Sequence, residues 1–328
     1  MGNPYLFVVG CPRSGTTLLR HILSAHPQIV ITPEAHWIPL WYQERIGLTP
    51  EGFVTDILIG KLLEHQKFGL FKLGPEDLAS LRADDQPVSY SRFVTSIFDL
   101  YGKARGKKLV GNKTPDSVRR MQTLHSLWPR ARFVHLIRDG RDVALSLMNW
   151  PKIRSKKPGT FPTWKEDPAS TAALWWELNV RKGKETGRSL GPELYHEVFY
   201  ESLVRDPETE SKALCKFLGV EFDRVMLRWN ELEPLPLEGS GSLRRGGEKA
   251  ATGWMPITPR LRNWRSEMPS EQVERFEAVA GSLLSELGYS RSFPDVRSQA
   301  AVHSDLVRGE LAGLPSDVRP YRTAYSEN

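Results

Sequence analysis

Three groups of residues in this chain have types and spacing suited to chemistry on anionic ligands. The first is Gly10-Cys-Pro-Arg-Ser-Gly-Thr-Thr17, which follows the apolar run Leu6–Val9 and opens the helical pattern Leu18–Ala25. A strand, a tight loop and a helix N-terminus together make an anion site, because loop N–H groups point inward and the helix dipole favours negative charge. Arg13 offers that anion a guanidinium fork, and Ser14, Thr16 and Thr17 offer hydroxyl donors beside the Gly15 backbone. The second group lies in another strand–turn–helix pattern, Arg132–Ile137, Arg138-Asp-Gly-Arg-Asp142 and Val143–Met148, which delivers Arg138, Arg141 and the Ser146 hydroxyl to a sheet edge. Two such patterns imply two anionic groups on one ligand. The third group follows two shorter apolar runs. Glu34 and His36 come after 29–31 and are alternative proton acceptors, and Lys113 comes after 108–110.

The spacing Gly10-x-x-x-x-Gly15 has the frame of a nucleoside triphosphatase phosphate loop, but Thr16 stands where that loop carries Lys. No apolar strand ends in an Asp placed to hold magnesium; the nearest, 133–137, runs into Arg138 first. The loop therefore suits a phosphate gripped by Arg13 and hydroxyls better than a magnesium-bound triphosphate.

The elements that must position these groups alternate between strand and helix. Strands are expected near 5–10, 29–31, 108–110, 132–137 and 195–199, with a mostly helical stretch from about 38 to 103 and helices over 169–184, 208–218 and 270–287. Such alternation predicts an α/β, P-loop-type three-layer fold with a central parallel sheet flanked by helices. Its ligands sit beyond the carboxyl ends of the strands, where Arg13, Glu34, Lys113 and Arg138 can converge. No linker divides the pattern, so 1–293 are expected to form one domain and 294–328 a polar C-terminal tail.

The 328 residues carry a net charge of +6 without a long Lys/Arg tract, which favours small anionic ligands over nucleic acid. Two cysteines, Cys11 and Cys215, supply neither a disulfide framework nor a metal-ligand spacing. No signal peptide and no apolar run long enough for a membrane span are visible, so a cytoplasmic location is expected.

Together, Pro12-Arg-Ser-Gly-Thr-Thr17 and Leu136-Ile-Arg-Asp-Gly-Arg-Asp-Val-Ala-Leu-Ser146 resemble the two phosphate sites of sulfotransferases that use 3′-phosphoadenosine-5′-phosphosulfate (PAPS). Tyr200-Glu-Ser-Leu-Val204 with Asp206-Pro207, Leu214–Gly219 and Leu261–Pro269 resemble later segments of the same family, in the same order. The pattern is most similar to the tyrosylprotein and bacterial branch. The resemblance implies that Arg13, Ser14, Gly15, Thr16 and Thr17 hold the 5′-phosphosulfate and that Arg138 and Ser146 hold the 3′-phosphate, with Tyr200 an aromatic contact. It also implies that Glu34 is the general base and that Lys113 touches the sulfuryl group or the bridging oxygen, where charge grows as the S–O bond breaks.

Trp150 replaces a further basic residue of the branch, so Arg244 and Arg245, or Arg262, are candidates to complete the 3′-phosphate site. The product would be adenosine 3′,5′-bisphosphate (PAP), with no metal required. The acceptor would be a hydroxyl, most simply on a small molecule, and the oligomeric state stays open. One of the adjacent Trp175 and Trp176 is expected in the core and the other is a candidate to line the acceptor site. The basic and aromatic loop 149–167 is expected to act as a lid. Two other readings remain: a P-loop small-molecule kinase, and a non-catalytic nucleotide-binding protein on the same fold.

Overall fold

The computed structural model describes residues 5–81, 86–149, 162–232 and 263–312. Its strands are β1 (Leu6–Gly10), β2 (Ile29–Thr32), β3 (Leu109–Lys113), β4 (Arg132–Ile137) and β5 (Tyr195–Phe199). The helices before β4 are α1 (Thr16–Ala25), α2 (Trp37–Gln43), α3 (Asp56–Glu64), α4 (Pro75–Ser80), α5 (Tyr90–Lys103) and α6 (Met121–Leu127). Those after it are α7 (Gly140–Met148), α8 (Pro168–Leu190), α9 (Tyr200–Arg205), α10 (Pro207–Leu218), α11 (Trp264–Glu267), α12 (Ser270–Glu286) and α13 (Ser298–Ala312).

The strands form one sheet in the order β2-β3-β1-β4-β5, and the β2–β3, β3–β1 and β1–β4 pairs are parallel. The alternation of side chains along β1 explains why both of its faces are apolar. Leu6 and Val8 join Leu19, Ile22 and Leu23 of α1, whose spacing of three and four residues makes one helix face. Phe7 and Val9 join Phe93, Val94, Ile97 and Phe98 of α5 on the other side. These layers make the P-loop-type arrangement expected from the sequence. Helix α1 stops at His26, whose extended backbone (φ −58°, ψ 137°) suits the residue before Pro27. Helix α10 starts with Pro207 after the Asp206 cap and ends at Gly219 (φ 69°), as its sequence signals require.

The chain divides into two compact units. One comprises Met1–Gly10, Gly15–Leu136 and Gly183–Thr258; the other comprises Cys11–Ser14, Ile137–Lys182 and Pro259–Asn328. The first holds most of the sheet. In the second, α12 packs on α7 and α13.

The sequence and structure differ in several places. Strand β3 runs on through Gly111-Asn112 to Lys113, because pairing with β1 and β2 on both sides overrides the poor strand propensity of those residues. Asp116, a residue type that could cap a helix, instead lies inside a 3-10 turn, Pro115–Arg120, which is followed by α6. Beyond Phe293, in the stretch read as a polar tail, α13 forms; Ser304 Oγ donates to Ala278 O of α12 at 3.4 Å. Trp175 and Trp176 are both buried, so neither lines an open acceptor site, and Trp176 Nε1 donates to Arg138 O at 3.1 Å. Most of the loop read as a lid, residues 150–161, lies outside the described residues.

Candidate active site

The loop after β1 has the backbone of an anion cradle. Arg13 has φ 77°, which a non-glycine residue adopts at a cost, and Gly15 at the N-cap of α1 has φ 98°. No side chain caps α1 and no acidic residue lies in its first turn, so its N–H donors are not spent on a local carboxylate. The Ser14 side chain is fully buried, and its Oγ has no hydrogen-bond partner among the described residues. A buried hydroxyl left in that state costs about 1–3 kcal/mol, which a bound anion would recover. Both glycines are sterically required. A Cβ at Gly10 would stand 2.5 Å from Leu136 O, and one at Gly15 would stand 2.6 Å from the Tyr200 ring. Tyr200 therefore covers the start of α1.

The turn after β4 separates its two arginines. Arg138 is buried and its Nη2 donates to Asp142 Oδ2 at 3.3 Å. Burial raises the Asp142 pKa above its ordinary value, against the pull of Arg138. Arg141 is turned the other way. It donates to both Asp139 oxygens at 3.0 and 2.7 Å, to Glu277 Oε1 at 2.7 Å and to Ser290 O at 2.8 Å. Its guanidinium also lies 3.7 Å from the Trp264 ring centroid. Arg141 is thus committed to holding α7 to α12. Ser146 is buried on α7, and its Oγ accepts from Arg13 Nε at 3.1 Å. This bond joins the cation of the first anion turn to the hydroxyl of the second.

A second cluster follows β2 and β3. Lys113 Nζ donates to Glu34 Oε1 at 2.6 Å. Lys67 Nζ pairs with Glu34 Oε2, and His36 Nε2 lies 3.3 Å from the same oxygen. His36 Nδ1 in turn lies 3.8 Å from Asp116 Oδ2. The two strand ends are laced together by buried polar groups. Asn112 Nδ2 donates to Thr32 Oγ1 (2.9 Å) and Pro33 O (2.8 Å), while Thr114 Oγ1 accepts from Ala35 N at 2.9 Å. The neighbours of Lys113 therefore fix the neighbours of Glu34. Burial raises the Glu34 pKa, but Lys113, Lys67 and His36 together outweigh it and hold the carboxyl well below the usual range. The cations win over burial, and Glu34 is a carboxylate at neutral pH.

Two members of this cluster were not found in the sequence. Lys67 lies in the helical stretch between Ile38 and Lys103, 33 residues from Glu34, with no local motif to single it out. Asp116 reads as a helix cap, yet it faces His36. Arg244, Arg245, Arg262 and Trp150 lie outside the described residues. Among the described residues, no group of three His, Cys, Asp or Glu is placed to hold a metal, and no helix is long and apolar enough to cross a membrane.

A parallel sheet whose first strand ends in an Arg-bearing phosphate loop, with a second basic turn after β4, defines a P-loop-type transferase. The chain belongs to the sulfotransferase family, whose family model matches residues 4–224, and it is a sulfotransferase enzyme. It is 28% identical to nodulation protein NoeE of Sinorhizobium fredii, over 98% of this chain and 78% of that protein. It is 24% identical to protein-tyrosine sulfotransferase 2 of Gallus gallus, over 87% of this chain and 69% of that protein. Among solved structures, the sulfotransferase domain of the Synechococcus PCC 7002 olefin synthase aligns with a TM-score of 0.57 at 25% identity, covering 88% of this chain and 97% of that one. A sulfotransferase domain of the curacin biosynthetic pathway shares the fold, with a TM-score of 0.53 at 20% identity over 89% of this chain and 99% of that one.

Proposed function

We propose that this enzyme moves a sulfuryl group from PAPS to the hydroxyl of a small molecule, with Glu34 as general base. The observation that carries the reading is the Arg13–Ser146 hydrogen bond. It sets a residue of one anion turn against a residue of the other, as a ligand with two anionic groups requires. The buried Ser14 hydroxyl and the aromatic face of Tyr200 over Gly15 also fit such a nucleotide.

In the reaction the acceptor oxygen bonds to sulfur as the bond from sulfur to the bridging phosphate oxygen breaks, releasing PAP. The acceptor's proton passes to Glu34. Lys113 steadies the charge that develops on the bridging oxygen, an interaction stronger in the transition state than in the ground state. Arg13, Arg138 and Lys113 supply the positive charge, so the reading calls for no metal. Similarity to proteins named protein-tyrosine sulfotransferase favours a peptide tyrosine as a second acceptor reading.

The test offers sulfur-labelled PAPS, with a metal chelator, to a panel of phenols, sugars, alcohols and tyrosyl peptides. Label transfer to a small hydroxyl compound is expected. Transfer to peptides alone would change the acceptor, and phosphoryl transfer from magnesium ATP in place of sulfuryl transfer would overturn the reading.

A further inference from the structure

Resting on the reading of Glu34 as the base, we propose that Lys67 is a positioning residue for the reaction. It fixes Glu34 through Oε2, so that Oε1, the oxygen held by Lys113, is the one that takes the acceptor's proton.

The argument begins with how Lys67 is held. Its side chain is only 6% exposed and its ammonium pairs with Glu34 Oε2. Burying an ammonium is costly unless a charge meets it, so a residue in this place has a reason beyond solubility. The backbone on either side is anchored. Phe68 N bonds to His65 O at 2.8 Å, and Lys67 O accepts from Leu70 N at 3.2 Å. Phe68 and Phe71 are buried and stacked with centroids 5.3 Å apart, and Phe68 packs edge-on against Trp37 at 6.2 Å. Trp37 is one residue beyond His36. The Lys67 turn and the Glu34–Trp37 segment are therefore seated in one aromatic core, which fixes where the ammonium stands relative to the carboxylate.

The division of labour at Glu34 follows from its two oxygens. Oε2 is met by Lys67 and by His36, which is itself braced by Asp116 with Arg119 at 4.0 Å beyond it. Oε1 is met by Lys113. When Lys113 turns to the bridging oxygen of the donor, Oε1 gains room for a proton, while Lys67 and His36 keep the carboxylate aimed. The acceptor's O–H bond then breaks toward Oε1 as its oxygen bonds to sulfur. The bond from sulfur to the bridging oxygen breaks, and its electron pair leaves with PAP. Lys67 keeps its proton throughout.

The test follows the Glu34 carboxyl by carbon NMR in protein carrying labelled glutamate, assigned by the signal lost in Glu34→Gln. Removing one cation from beside a carboxylate moves its titration up by about one pH unit or more. Lys67→Met is expected to show that shift. With an acceptor in hand, its kcat should fall by roughly tenfold or more, and the acid limb of kcat/KM should move up by the same interval as the carboxyl. Lys67→Arg should restore both, and PAP affinity should stay within about twofold throughout. If Lys67→Met does not fold, Lys67→Gln, which keeps a donor without the charge, carries the same prediction. An unmoved carboxyl titration and acid limb, with only a lowered melting temperature, would overturn the role of Lys67. Full sulfuryl transfer by Glu34→Gln would instead remove the base reading, while a titration shift in Lys67→Met would still show the contact.

Discussion

Two charged clusters in this molecule look alike in composition and differ in what they leave adjustable. Around Arg141, both Asp139 oxygens, Glu277 and the Ser290 carbonyl are bonded to one guanidinium, with Trp264 across its face. Glu277 goes further and accepts from Ser292 N at 3.0 Å and Phe293 N at 2.7 Å, fixing the turn after α12. Around Glu34, two ammonium groups and an imidazole share one carboxylate that is still 18% exposed. The first cluster saturates every arm of a rigid fork and sets structure. The second holds a carboxylate between a seated Lys67 and Lys113, whose flexible stem lets its ammonium turn to another oxygen without breaking the fold. The same ingredients serve rigidity in one case and proton transfer in the other.

The comparison is broken most sharply at Glu34. Glu34→Gln keeps the shape and removes the proton acceptor, so kcat should fall by about 10²–10⁴ while PAP binding holds. If His36→Ala loses the activity and Glu34→Gln does not, the imidazole is the base. The next effect belongs to the rigid cluster. Arg141→Met strands Asp139 and Glu277, and chemical denaturation should show a loss of about 3–5 kcal/mol. A loss under 1 kcal/mol would mean that the cluster is not structural. The neighbouring Arg138 should respond differently. Arg138→Met strands Asp142 where Arg141→Met strands two carboxylates, so it should cost less stability than Arg141→Met, and it should weaken PAP by roughly 10–100-fold in calorimetry, the worth of a bond to a charged group.

The smallest effect concerns pH. His135 is buried with Nδ1 2.7 Å from the Tyr195 hydroxyl, and burial pushes its pKa down to about 4. His21 is lowered to about 4 as well, by burial and then by Arg20 and Lys113. Unfolded histidine titrates near 6.5. The stability tied to both neutral rings is therefore complete above pH of about 6.5 and is lost as pH falls toward about 4. Urea midpoints between pH 7 and 5 should drop in the wild type and drop less in His135→Leu.

How much of this was legible in the sequence depends on the range over which each signal acts. The Gly10–Thr17 loop and the Arg138–Ser146 turn could be read because an anion site is built within one strand–turn–helix, so its signals are local. Glu34 and Lys113 could be read because each sits at a strand end. The resemblance separates Arg138 from Arg141, and Arg141 does pair with the nearby Asp139, but its lock onto Glu277 could not be read, since that residue lies 136 residues away. Lys67 was invisible for the same reason. The pairing of β3 through Gly111-Asn112 was hidden too, because only its neighbours in the sheet stabilise it.

The central claim is a donor site for two phosphates, and nucleotide binding without metal tests it most directly. PAP and adenosine 5′-monophosphate would be compared by thermal shift and calorimetry on the wild type and on Arg138→Met. At a hundredfold excess over its dissociation constant PAP should stabilise the wild type by about 2.7 kcal/mol. The monophosphate at the same concentration should do much less, and the gap should close in Arg138→Met. Equal stabilisation of the wild type by the two nucleotides would contradict the account.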